Sequence, residues 1–92
     1  MVSRELEFRG INRRELELYF VELGGKRLGT AGEFPIVFQA DGWEGRILSE
    51  EEIAFTAVFK VNAVKVRFSA ADEPGLEELI KNYRYKTTRV GG

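Results

Sequence analysis

Apolar and polar positions alternate from residue 4 to residue 9, with Leu6 and Phe8 on one side and Glu5, Glu7 and Arg9 on the other. A period of two marks a half-buried strand, and Gly10 ends it. The period then lengthens. Leu16, Tyr19, Phe20 and Leu23 follow the three-four spacing of one buried helical face. Asn12 supplies a cap, and Glu15 stands where its side chain can return to the cap's amide. Ile11 and Leu16 sit where a hydrophobic staple forms. Gly24 and Gly25 stop the helix, because glycine takes the left-handed cap conformation without a Cβ penalty.

Residues 26–32 read as a loop. Phe34, Ile36, Phe38 and Ala40 alternate as a second strand, with Pro35 favouring its start or an edge. Asp41-Gly42 is a hairpin signal, and the return strand runs from Trp43 through Gly45 and Ile47 to about Leu48. Residues 49–52 predict a polar turn. Residues 53–61 are apolar on both faces, which predicts a central strand covered on both sides. Asn62 and Ala63 turn the chain. Val64, Val66 and Phe68 then alternate with Lys65 and Arg67 as a last strand with one wet face. Asp72 or Glu73 caps a second helix, with Pro74 in its first turn and Leu76, Leu79, Ile80 and Tyr83 on its core side. Residues 84–92 read as a polar tail ending in Gly91-Gly92.

The predicted order is β-α-β-β-β-β-α, a two-layer α+β domain over residues 1–92. Both helices most simply cover one face of an antiparallel sheet. The other face is then partly open, yet the 53–59 strand directs apolar residues toward it. A homodimer or a docked protein resolves that conflict. The candidate interface is Ala54, Thr56 and Val58, joined by Lys65 and Arg67.

Composition narrows the chemistry. With 92 residues the chain holds one core. It has no Cys and no His, which removes disulfides, thiolate nucleophiles, Cys-based zinc sites and every Ser-His or Cys-His arrangement. No metal, cofactor or catalytic residue is expected, and the protein reads as a non-enzyme. Adjacent Glu50, Glu51 and Glu52 point to alternate sides of an extended chain and do not converge on a metal. Trp43 reads as a core filler beside Phe34 or Phe38. Fourteen basic and fifteen acidic side chains nearly cancel, which argues against nucleic acid as a partner. Tyr83 and Tyr85 among Lys81, Arg84 and Lys86 are too short a set to change that. The first residues carry no apolar signal core and no segment is long enough to span a membrane, so cytoplasmic residence is expected.

Gly91-Gly92 has one sharp chemical reading. Ubiquitin-like sulfur carriers end this way, with a terminal carboxylate that is adenylated and converted to a thiocarboxylate. Their β-grasp fold opens with a hairpin before its helix, whereas this chain opens strand-helix. A frayed end is the plainer alternative.

Several stretches together resemble the C-terminal domain of MoaD-related proteins, relatives of the small subunit of molybdopterin synthase. They are Phe8-Arg9-Gly10, Glu15 with Tyr19 to Gly25, Asp41-Gly42-Trp43, Val64 to Phe68 and Arg89 to Gly92. The resemblance covers nearly the full chain. It implies a TATA-binding-protein-like β-α-β4-α fold and a link to molybdenum or tungsten cofactor (molybdopterin) biosynthesis. In longer relatives this domain follows a β-grasp carrier domain, which residues 1–92 do not contain. No catalytic residues are carried over, and the fold name implies no DNA binding. The expected function is an accessory or interaction domain, with molybdopterin-biosynthesis proteins or a second copy as partner. A sulfur carrier acting through Gly92 is the alternative. A small-ligand domain with a pocket lined by Trp43 and Phe residues is a further one.

Overall fold

The computed structural model describes residues 1–29 and 34–91. β1 (Val2–Arg9) leads into α1 (Arg13–Glu22), then β2 (Lys26–Leu28), β3 (Ile36–Ala40), β4 (Trp43–Ala54), β5 (Lys60–Ala70) and α2 (Glu73–Gly91). The strands form one antiparallel sheet in the order β1-β5-β4-β3-β2. Both helices lie over the same face, touching each other and packing on β5, β1 and β4. The fold is the two-layer α+β arrangement the hydrophobic pattern predicts.

The caps follow the sequence. Asn12 Oδ1 accepts a hydrogen bond from the Arg14 amide at 3.0 Å, and Asp72 Oδ1 accepts one from the Gly75 amide at 2.8 Å. Each satisfies an amide that lacks a partner within its own helix. Gly24 has a φ of +101°, in the left-handed region that ends α1. Glu15 makes no side-chain hydrogen bond to the described residues. The anion at the start of α1 is Glu50 instead, whose Oε2 accepts from the Arg13 amide at 3.3 Å.

An aromatic cluster fills the space between helices and sheet. The Phe20 ring lies 4.4 Å from Tyr83, 5.3 Å from Phe38, 5.7 Å from Phe68 and 5.8 Å from Trp43. Phe20 comes so close to β4 that a Cβ at Gly45 would collide with its ring. The Tyr83 hydroxyl donates to the Leu16 carbonyl at 2.7 Å and so joins α2 to α1. Trp43 therefore stacks on Phe20 at the edge of this cluster, and not beside Phe34, which is exposed.

Three segments differ from the pattern's prediction. Residues 53–61 are not a central strand. β4 continues through residues 49–52 to Ala54, the chain reverses, and β5 begins at Lys60. The predicted polar turn is thus strand, and so are Asn62 and Ala63. The cause lies in the polar partners. Asn62 Nδ2 donates to Glu50 Oε2 at 3.0 Å and to the Ile11 carbonyl at 2.9 Å, which holds the extended hairpin against the start of α1. Second, Lys26–Leu28 pairs with β3 as a short edge strand instead of forming a loop. One strand is lost and one gained, so the order of elements survives with different members. Third, α2 continues through the predicted polar tail as far as Gly91. Buried Thr87 continues the face of buried Tyr83, and Lys86 Nζ reaches Glu22 of α1 at 2.8 Å.

Candidate functional site

The extended hairpin changes what the helix-free face of the sheet looks like. Side chains alternate along β5, so Val61 shares a face with Lys65 and Arg67, and Ile53, opposite Val61, joins it. Near the centre of the sheet this face is charged. Arg67 donates two hydrogen bonds to Glu5 Oε2, at 3.2 and 2.7 Å. Arg46 pairs with Glu44 at 2.8 Å and Arg9 with Glu7 at 2.7 Å.

At the end of the hairpin the character reverses. Phe55, Val58 and Phe59 are 53%, 95% and 57% exposed. The two phenyl rings touch each other, with centroids 5.8 Å apart. The turn that carries them is tightly bonded. The Phe55 amide donates to the Phe59 carbonyl at 2.9 Å. Thr56 Oγ1 accepts from the amides of Val58 and Phe59 at 3.3 and 2.9 Å. A hydroxyl bonding its own backbone in this way fixes a turn without tertiary support. Three apolar side chains are therefore presented in a set arrangement, well away from the core.

The residues expected to form an interface separate into two places. Ala54, Thr56 and Val58 lie at the tip, where Thr56 builds the turn and Val58 faces solvent. Lys65 and Arg67 stand on the charged part of the sheet, and Arg67 is engaged by Glu5. Gly91 ends α2, and Gly92 lies outside the described residues. Sequence reasoning missed Phe55 and Phe59, which it placed in the core. The signal available was Thr56, a turn former inside an apolar run.

No group of three or more acidic, His or Cys side chains among the described residues can hold a metal. Glu50 is committed to Arg13 and Asn62, with its Oε1 3.4 Å from the Arg13 guanidinium. Tyr83 is fully buried and bonded to the Leu16 carbonyl. Burial, with Tyr19 and Glu17 nearby, pushes its hydroxyl well above the usual tyrosine range and keeps it a hydrogen-bond donor. The hollow beside Trp43, lined also by Leu23, Leu79 and Asn82, is an open surface depression. No helix among the described residues is long and apolar enough to cross a membrane.

A model of the archaeal MoaD-like proteins matches residues 4–92. The chain belongs to the archaeal MoaD-like protein family. That membership links it to relatives of the small subunit of molybdopterin synthase and to sulfur carriers. No curated protein matches the chain. Within this archaeal MoaD-like chain, the match spans β1 through the terminal glycines and so takes in both the hairpin tip and Gly91-Gly92.

Proposed function

We propose that this archaeal MoaD-like protein is a non-enzymatic accessory module of molybdenum or tungsten cofactor synthesis that works by docking another protein chain at the β4–β5 tip. The observation that carries this reading is the preformed turn with Phe55, Val58 and Phe59 in water. Isolated exposed apolar residues are ordinary on protein surfaces. Three on one bonded turn, two of them in ring contact, are a concentrated patch of the kind that marks a binding site. Aromatic anchors supply much of the affinity of protein interfaces, and a turn fixed in advance lowers the entropic cost of binding. The cofactor setting is supported by family membership.

The test is the molybdopterin content of cells in which the chromosomal gene is deleted or carries Val58→Glu. The variant protein folds, because Val58 stands almost fully in solvent, and it lowers cofactor content as far as the deletion does. Wild-type content in the Val58→Glu strain, with the deletion strain depleted, would remove the tip from the function. Wild-type content in both strains would remove the cofactor setting.

A second reading is a sulfur carrier acting through Gly92, favoured by a family match that includes the terminal Gly91-Gly92. Intact mass of the untagged protein from cells making cofactor decides it. Replacement of one oxygen by sulfur, localised to Gly92, establishes the carrier. An unmodified terminus removes it.

A further inference from the structure

At the end of β4 away from the tip, Trp43 borders an open hollow of about 300 Å³ between α2, the end of α1 and the β3–β4 turn. The indole is partly buried. It stacks on Phe20, and its far end lies against Gly25, where a Cβ would collide with it. Leu23 and buried Leu79 continue the apolar lining. The rim is polar. Exposed Asp41 comes from the turn, and exposed Glu78 and Asn82 come from α2. Those two stand four residues apart and so share one helical face.

These three side chains differ from much of the polar surface. Elsewhere Glu5 is held by Arg67, Glu17 by Arg13 and Arg27, Glu22 by Lys86 and Glu50 by Arg13. Asp41, Glu78 and Asn82 enter no ion pair and no side-chain hydrogen bond with the described residues. No Arg or Lys lines the hollow. Lys86, one turn beyond Asn82, is turned to Glu22 at 2.8 Å. The start of α2, where free amides attract anions, is already capped, with the Gly75 amide donating to Asp72. An anion is therefore repelled here. A cation finds two unpaired carboxylates beside an indole, the aromatic ring that attracts cations most strongly.

We propose that the Trp43 hollow binds a guanidinium group on an alkyl stem, as an arginine side chain of another protein or as a small free guanidine. The planar group lies on the accessible part of the indole, and its N–H groups donate to Asp41 and Glu78. The stem packs along Leu23 and Leu79. A rigid fork of donors reaches two carboxylates at once, which a single ammonium cannot match. The site is independent of docking at the tip, because Trp43 and Ala54 are the two ends of β4 and Val58 lies beyond Ala54.

The chain has one tryptophan, so its fluorescence reports on this hollow. The probes are agmatine and an acetylated, amidated Gly-Arg-Gly peptide, titrated at constant ionic strength. Emission changes to saturation, with a dissociation constant on the order of 1–10 mM. The matching citrulline peptide, similar in shape and uncharged, gives no saturable change. Asp41→Asn and Glu78→Gln each raise the constant about two- to fivefold, with circular dichroism confirming the fold, and Val58→Glu leaves it unchanged. Tighter binding of agmatine assigns the hollow to a free guanidine, and tighter binding of the peptide assigns it to a protein side chain. Three results would overturn the proposal: no saturable response to either guanidine, an equal response to the citrulline peptide, or an unchanged constant in both carboxylate variants.

Discussion

The β4–β5 hairpin has two ends built from similar residues. At one end Ile47, Val66 and Phe68 are fully buried beneath Phe20 and Tyr83. At the other, Phe55, Val58 and Phe59 stand in water. Both ends are apolar and both belong to one antiparallel hairpin, whose register shifts between Ile47 and Ser49. The difference is what lies above them. The helices cover the buried end, while the tip projects beyond the region they protect. Glu50 marks the junction, tying the hairpin to the start of α1 through Arg13 and Asn62. Apolar character therefore serves folding at one end and leaves a surface for contact at the other.

Substitutions at the two ends should separate stability from contact. The largest loss is expected for Phe20→Ala, which removes the ring touching four other aromatics. Urea unfolding should show a destabilisation of about 3–5 kcal/mol. Gly45→Ala places a methyl group against the same ring and should cost about 1–3 kcal/mol through overpacking, measured the same way. Tyr83→Phe keeps the packing and removes the bond to the Leu16 carbonyl, for a loss of about 1 kcal/mol. Val58→Glu at the tip should leave the urea midpoint within about 0.5 kcal/mol of wild type. A loss at the tip as large as that at Phe20 would mean that the tip belongs to the fold and that its exposure has no separate purpose.

The buried end was legible in the sequence because two periodicities agree there. Leu6 and Phe8 alternate as a strand should, and Leu16, Tyr19 and Phe20 recur as a helix should. The cap Asn12 was legible for the same local reason, and Asp72 was one of two candidates with Glu73. The tip was misplaced because an apolar run carries no record of whether anything covers it. Phe55 and Phe59 look like core residues in sequence and stand exposed because the hairpin runs on past the part of the sheet that the helices cover. The short strand β2 escaped notice because Lys26 and Arg27 hide a pairing made by the backbone alone. The helical extent of residues 84–91 depended on long-range partners, Glu22 for Lys86 and the core for Thr87.

Hydrogen exchange along β4 and β5, compared between dilute buffer and an extract of the native cells, tests most directly whether the tip is a docking surface. Amides of residues 53–61 should exchange readily in buffer and slow markedly in the extract, while those of residues 43–47 and 64–70 exchange alike in both. Equal exchange of residues 53–61 in the two conditions would contradict docking at the tip.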